Sequence, residues 1–302
     1  MKQIIDPTYG RQFRKMRKSK HINLINACGN ITSKSSLARW ENGADNLSWN
    51  QVINLLTYNH IQLAEFIRKS ASKNLDELLN PIAVAYNANQ VPILKEYATG
   101  ALNKYNEHPS KKNLFQAAIA CNYYQDLSAT DLASDTLKEK LTEHFHQIIE
   151  DKNVWQYEDI FYFGSTVLLF SPKNLYQIAF NLIDFIQVHN ISAKEWYGFA
   201  LNMVLNADFA LIKIDSVRAS RLLTNFDELD IKDIYSLTNI RKKFMRCLLE
   251  YIQDHSNTSV AKLISYLDFF NMTDLKHDFQ VAFDQIKQIY GYLVRKALHQ
   301  LR

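Results

Sequence analysis

The chain has 302 residues, of which 47% are hydrophobic and 22% charged, a balance typical of a soluble globular protein with a small and a larger domain. Its 7 glycines and 5 prolines are too few for a many-turned sheet protein, so we expect long helices. Three widely spaced cysteines argue against a disulfide framework. No signal-peptide stretch and no apolar run of about 18–20 residues is present, which predicts a cytoplasmic protein without a membrane partner.

The net charge of +4 is distributed unevenly along the chain. Residues 1–70 contain 11 Lys and Arg against 4 Asp and Glu, whereas the remaining residues contain 24 basic and 27 acidic side chains. A basic head on a slightly acidic body suits neutralisation of phosphates at one end of the molecule. We therefore predict two domains, residues 1–70 and residues 71–302.

Five short helices are predicted in the first domain. Their bounds are marked by proline near a helix start, glycine after a helix end, and serine or threonine at N-caps. The predicted helices are residues 7–18, residues 24–28 followed by Gly29, a stretch capped by Thr32 or Ser33 that ends near Trp40, a stretch capped by Ser48 that carries Leu55, and residues 62–69, which offer Leu63 and Phe66 to the core.

The third of these helices has the pattern of a DNA-recognition helix. Such a helix needs an apolar side that seats it and a short polar side that faces base edges. Leu37 and Trp40, three residues apart, form the apolar side. The side chains predicted to face DNA are Ser33, Lys34, Ser35, Ala38 and Arg39.

Each of these residues suits a particular contact. Arg39 can bond guanine with two hydrogen bonds, and Lys34 is placed for a phosphate or a nearby base. The small side chains of Ser35 and Ala38 permit close approach to the groove floor. Ser33 and the free N–H groups of the first turn can bind a phosphate. A capped surface helix without any DNA contact is the alternative.

Residues 9–67 resemble the helix-turn-helix head of the Xre/Cro-repressor class. The run Ser33-Lys34-Ser35, followed by Arg39-Trp40-Glu41-Asn42-Gly43, is similar to that of Rgg/GadR/MutR-family transcriptional regulators. Ala38 and Trp40 replace the serine and phenylalanine of the family's Ser-Lys-Ser-x-x-Ser-Arg-Phe-Glu-x-Gly motif. The second helix lacks the family's Gln-Glu-x-Leu-Ala core. The resemblance also implies a buried pair between Glu41 and a helix-one arginine, for which Arg11 is the matching residue.

From about residue 75 onward the pattern predicts about ten longer helices, mostly of 14–22 residues. The segment 174–188 shows the helical period well, with an apolar residue every three or four positions. The expected breaks lie near residues 108–109, 128–131, 151–153, 171–172, 190–192, 214–215, 229–232, 256–258 and 272–274. An all-α chain of this kind suggests a helical-hairpin solenoid of tetratricopeptide type, with an irregular bundle as the alternative.

The family resemblance extends into the body, at the run Trp155-Gln156-Tyr157-Glu158 and at Lys243-Phe244. It implies homodimerisation and a concave groove for a short imported peptide, as in quorum sensing. An asparagine amide can donate to a peptide carbonyl and accept from a peptide N–H. The candidates for such contacts are Tyr162, Asn202, Asn206 and Asn239, whereas Trp155 and Phe244 are predicted to be packing residues.

No pattern in the chain predicts catalysis. His144 and His146 are two apart, so they point to different sides of a helix and cannot easily share a metal. We expect no catalytic residue, no metal site and no cofactor, and Cys121 and Cys247 are interpreted as buried apolar side chains.

The prediction is a transcription regulator that binds a promoter operator in double-stranded DNA, with RNA polymerase as a further partner. Two alternatives remain: the body senses pH or a small molecule instead of a peptide, or the chain is a helical scaffold that does not bind DNA.

Overall fold

The structure is a computed structural model that describes residues 5–70, 76–151, 154–189 and 196–300, and all regular secondary structure in these ranges is helical. The chain divides into two compact units, Met1–Val84 and Ala85–Arg302. The division lies inside the sixth helix, beyond the end of the fifth helix at which the sequence predicted the boundary. No helix of the described residues is long and apolar enough to cross a membrane.

The first unit contains the five predicted helices. Side-chain caps set their starts: Ser33 Oγ accepts from the Ser36 amide, and Ser48 and Gln51 form a capping box. The helices are α1 (Pro7–Ser19), α2 (Leu24–Cys28), α3 (Lys34–Glu41), α4 (Trp49–Tyr58) and α5 (Leu63–Ser70).

A single apolar core joins these helices. Phe13, Leu37 and Phe66 are completely buried in it, and the rings of Phe13 and Trp40 lie 5.3 Å apart. The prediction that Leu63 joins this core is wrong, because Leu63 is 40% exposed and Ile61, just before α5, is buried instead.

Helix α1 lies directly against α3 at Gly10. A Cβ atom at Gly10 would lie 1.9 Å from the carbonyl oxygen of Trp40, so only glycine permits this approach. The core and this contact hold α3 with one face outward.

In the second unit most helix contacts join helices one or two places apart along the chain, such as α7 with α8, α11 with α12 and α13, and α14 with α15 and α16. Contacts between helices close in sequence are typical of stacked helical hairpins, the arrangement that the sequence predicted. The helices are α6 (Asp76–Asn87), α7 (Val91–Glu107), α8 (Lys111–Ser128), α9 (Asp135–Glu150), α10 (Tyr157–Gly164), α11 (Pro172–Val188), α12 (Tyr197–Ile214), α13 (Ser216–Asp227), α14 (Ser236–Asp254), α15 (Thr258–Phe269) and α16 (Thr273–Gln300).

Eight of the nine predicted breaks separate these helices, and the ninth, near residues 190–192, lies outside the described residues. The break between α6 and α7 was not predicted. Trp155 and Phe244 are buried as expected, and so are the three cysteines. Burial raises the pKa of the Cys121 thiol to about 12, which suits an apolar packing role.

Candidate DNA interface and ligand site

Helix α3 presents the face that the sequence predicted. Leu37 and Trp40 are 0% and 3% exposed, which seats the helix in the core. The polar face is open to solvent at Ser33, Lys34, Ser35 and Arg39, and half-buried at Ala38. The structure therefore brings the five candidate DNA-contacting residues together on one accessible surface.

The start of α3 is arranged for an anion. Ser33 Oγ accepts from the Ser36 amide at 3.0 Å and lies 2.9 Å from Ser35 Oγ. The other amides of the first turn have no intrahelical partner, and the helix dipole adds positive potential there. Lys34 is the first residue of this helix, so its charge reinforces that potential.

The Arg39 side chain is free enough to move onto a base. Its Nη2 lies 3.3 Å from Asp45 Oδ2, and the two side chains are 65% and 35% exposed. An exposed ion pair of this kind contributes on the order of 0–1 kcal/mol, so DNA can replace Asp45 at little cost.

The predicted pair between Arg11 and Glu41 is wrong, because the partner of Glu41 is Arg17. Arg17 Nε and Nη2 donate to the two oxygens of Glu41 at 2.6 and 2.7 Å, and both side chains are buried. Arg17 shares the inward face of α1 with Gly10 and Phe13, whereas Arg11 projects from the exposed side. The buried pair between Glu41 and an α1 arginine is present, but the arginine is Arg17 and not Arg11.

In the second unit, Tyr162 packs inside the body. It is 8% exposed, and its ring stacks on Phe115 with the centroids 3.8 Å apart. Its hydroxyl donates to Glu158 Oε1 at 2.5 Å, and burial followed by this hydrogen bond raises the pKa of Tyr162. These contacts favour a packing role for Tyr162, and its part in peptide binding remains a prediction.

Asn202 and Asn206 lie four residues apart on α12 and meet at Arg241 of α14. Arg241 Nη1 donates to Asn202 Oδ1 at 2.6 Å, and Arg241 Nη2 donates to Asn206 Oδ1 at 2.8 Å. The amide nitrogens donate in turn, Asn202 to the Gly198 carbonyl at 2.7 Å and Asn206 to the Gly164 carbonyl at 3.3 Å. Sequence reasoning missed Arg241, since nothing in its local pattern connects it with residues on another helix.

This Arg241 cluster, consisting of Asn202, Asn206 and Arg241, borders a strip of partly exposed aromatic side chains. Phe199 lies on the same face of α12 as the two asparagines, and its ring is 5.0 Å from Tyr157 and 6.3 Å from Phe161. Tyr157 of this strip is exposed, whereas Phe161, Phe199 and Arg241 are partly buried.

Asn239 does not join this cluster. Its Nδ2 donates to the Ile231 carbonyl at 3.5 Å, which connects α14 with the segment before it. The prediction that Asn239 contacts a peptide receives no geometric support from this position and stays a prediction.

Asp208, two residues beyond Asn206, is a buried carboxyl group on α12. It is 1% exposed, and neither side-chain oxygen has a hydrogen-bond partner among the described residues. Burial raises the pKa of Asp208 well above its ordinary value, opposed in part by the charge of Arg246. Burial therefore favours the protonated, neutral form of this carboxyl group.

A separate open groove of about 840 Å³ lies along α9 and the start of α11. Its walls carry acidic side chains, among them Glu139, Glu143 and Glu150, and none of the predicted site residues. In the described part of the chain, no group of three or more His, Cys, Asp and Glu side chains could hold a metal ion.

Comparison with solved structures finds three proteins of similar fold. The SHP pheromone receptor Rgg2 of Streptococcus dysgalactiae matches with a TM-score of 0.65 and 13% identity, over 92% of this chain and 99% of that one. The PrgX/cCF10 complex matches with a TM-score of 0.56 and 13% identity, over 92% and 99%. PlcR of Bacillus thuringiensis, in complex with the peptide PapR7 and DNA, matches with a TM-score of 0.51 and 12% identity, over 92% and 99%.

At these identities the likeness is one of fold, and it spans nearly the whole length of each protein. The all-helical architecture expected from the family resemblance is thereby confirmed. No protein-family model matches the sequence.

Proposed function

We propose that the chain is a sequence-specific DNA-binding transcription regulator of the Rgg type, and that a short signalling peptide bound to its helical body controls it. The observation that carries the proposal is the face of α3. Lys34, Ser35 and Arg39 are exposed on the side opposite a fully buried Leu37, within a basic five-helix unit. This is the arrangement that direct readout in a major groove requires.

The peptide part of the proposal draws on the fold. Rgg2 is described as a pheromone receptor, PrgX is in complex with cCF10, and PlcR is in complex with both a peptide and DNA. A chain that shares this architecture along nearly its full length is suited to the same pairing of a DNA head with a peptide-binding body. The aromatic strip beside the Arg241 cluster offers it a binding surface.

We further propose a cytoplasmic homodimer that recruits or excludes RNA polymerase at a promoter. Two heads in a symmetric dimer would bind half-sites about one DNA turn apart.

Phe269 and Phe270, at the turn between α15 and α16, are 79% and 66% exposed, and their rings lie 5.3 Å apart. A second copy would cover this apolar surface. Size-exclusion chromatography with light scattering should give twice the chain mass, reduced by the Phe269→Ser/Phe270→Ser variant.

The experiment that tests DNA binding is selection of genomic fragments by the purified full chain at two salt concentrations. We expect a few fragments to bind tightly, with an affinity that falls steeply as salt rises, because phosphate contacts release counterions. The Lys34→Ala/Arg39→Ala variant should lose the preference for those fragments, since each good base contact contributes about 1–3 kcal/mol of discrimination.

The matched control is Lys173→Ala/Lys262→Ala, which removes two exposed lysines of the body and leaves the head unchanged. This control should select the same fragments as the wild type. Equal, unselective binding by the wild type and the α3 variant would contradict the recognition-helix assignment and leave a helical scaffold.

A further inference from the structure

We infer that Arg241 is an anion-binding residue of the helical body, and that it takes a carboxylate attached to an apolar residue, as at the C-terminus of a short peptide. The peptide source of the carboxylate rests on the proposed function above. The anion site itself stands on the geometry of α12 and α14.

The charge of Arg241 is not neutralised by an ion pair with any described residue. A guanidinium removed from water is normally paired with a carboxylate, because its desolvation is costly. Among the described residues none forms an ion pair with Arg241; its side-chain partners are the neutral amides of Asn202 and Asn206. Burial lowers the pKa of Arg241, and the charge of Asp278, an exposed residue of α16, opposes this from outside ion-pair distance.

Arg241 also keeps hydrogen-bond donors that the described residues do not use. A guanidinium has five N–H groups in a planar fork, and Arg241 uses one on each terminal nitrogen. The other three form no hydrogen bond with the described residues. Arg241 is not completely buried and keeps part of its surface in solvent. Two parallel N–H groups of such a fork match the two oxygens of a carboxylate.

The guanidinium of Arg241 is held in position before any ligand arrives. Asn202 Nδ2 donates to the Gly198 carbonyl and to Thr238 Oγ1, at 2.7 and 3.2 Å, so its oxygen must face Arg241. Asn206 is held likewise by the Gly164 carbonyl. Because both amides are already engaged, the group that meets a ligand is Arg241 and the asparagines position it. A preorganised donor loses less conformational freedom on binding.

The aromatic strip accounts for the apolar part of the ligand. Phe199 lies one turn before Asn202 and Met203 on the same partly exposed face of α12, and it contacts the ring of Tyr157, which is 49% exposed. A carboxylate held by Arg241 would therefore place a neighbouring aliphatic or aromatic side chain against this strip.

The first experiment uses N-acetyl-leucine and its uncharged partner N-acetyl-leucinamide, with the full chain labelled with ¹⁵N-arginine. The Nε–H resonance of Arg241, identified by its loss in Arg241→Lys, should shift saturably with the acid and stay in place with the amide. The internal control is Arg221, an exposed arginine of α13. Equal responses of Arg241 and Arg221 to the acid, or a response to both compounds alike, would overturn the anion site.

The second experiment asks whether the carboxylate belongs to a peptide. The protein is offered a pool of random heptapeptides with free C-termini and the same pool as C-terminal amides, and mass spectrometry measures what it retains. We expect a preference of about 30-fold for the acids, the usual scale for one partner of a desolvated charge pair. Arg241→Gln should abolish the preference, and the matched control Arg221→Gln should keep it.

The outcomes separate the two proposals. Retention of neither pool, with N-acetyl-leucine still bound at Arg241, leaves the anion site standing and contradicts peptide control. Equal retention of acids and amides leaves peptide binding standing and overturns the carboxylate assignment. A preference for acids that survives in Arg241→Gln would show that another residue binds the carboxylate.

Discussion

Arg17 and Glu41 lie side by side in the core of the first unit, with both carboxylate oxygens bonded to the guanidinium at 2.6 and 2.7 Å. The third guanidinium nitrogen of Arg17, Nη1, donates to the Ile22 carbonyl at 2.6 Å. One ion pair thus connects α1, the segment before α2 and the last residue of α3. Because the pair anchors the end of the helix that carries Arg39, it bears on DNA recognition without touching DNA.

Removing one partner of this pair should unfold the head locally. We expect Glu41→Gln to lower the free energy of unfolding of the head by about 3–5 kcal/mol, since Arg17 would keep a buried charge without a counter-ion. The measurement is hydrogen exchange of peptides from residues 7–58 in the full chain. Arg11→Met, on the exposed side of the same helix, should change that free energy by no more than about 0.5 kcal/mol. An effect of Arg11→Met as large as that of Glu41→Gln would contradict the pairing.

The contact between α1 and α3 gives a second prediction, at Gly10. The Cβ added by Gly10→Ala would meet the Trp40 carbonyl at 1.9 Å, and a backbone atom cannot rotate away. We expect a loss of at least about 2 kcal/mol in the stability of the head, because α1 must move off α3. Thermal unfolding and hydrogen exchange measure it.

The matched control is Gly100→Ala in the middle of α7, where nothing lies within 4 Å of the new Cβ. Alanine should stabilise that helix by about 0.5–1 kcal/mol, since glycine loses more conformational freedom on folding. The two glycine-to-alanine substitutions should therefore change the stability of the protein in opposite directions. A neutral Gly10→Ala would mean that α1 and α3 are not in close contact.

Local patterns predicted the helices and the outward face of α3, because caps and apolar periodicity are properties of neighbouring residues. Ser33, Ser48 and Leu37 illustrate this, each read from a window of a few positions. The partner of Glu41 was assigned wrongly because any of several arginines on α1 satisfies the sequence, and only the packing of Gly10 against α3 selects Arg17. The Arg241 cluster joins residues 35 and 39 positions apart, a distance over which no local pattern operates.

Tyr162 should act through its ring rather than its hydroxyl. Tyr162→Phe keeps the stack on Phe115 and loses only the hydrogen bond to Glu158, so we expect a change of about 1 kcal/mol. Tyr162→Ala should cost about 3–5 kcal/mol, the range for deleting a large buried ring. Urea unfolding measures both. Loss of peptide retention in Tyr162→Phe at unchanged stability would instead place the hydroxyl in the ligand site.

The buried carboxyl group of Asp208 makes the stability of the body depend on pH. Its folded-state pKa is raised by burial, so the folded chain holds a proton that the unfolded chain releases above the ordinary carboxyl value. Stability should therefore fall as pH rises from that value toward the folded-state pKa, by roughly 1 kcal/mol per pH unit. Asp208→Asn cannot ionise, so we expect it to be more stable than the wild type at pH 8, by a margin that shrinks toward pH 4.

The control for this prediction is Asp215, which has the opposite shift. A hydrogen bond from the Arg218 amide, opposed by burial and reinforced by the Arg218 side chain, lowers the pKa of Asp215. Its carboxylate stabilises the folded chain above the ordinary carboxyl pKa, and this contribution is lost as pH falls through the folded-state value. Asp215→Ala should thus be less stable than the wild type at pH 8. A pH series of urea unfolding compares the three proteins, and a margin for Asp208→Asn that does not grow between pH 5 and pH 8 would mean that Asp208 is ionised in the folded chain.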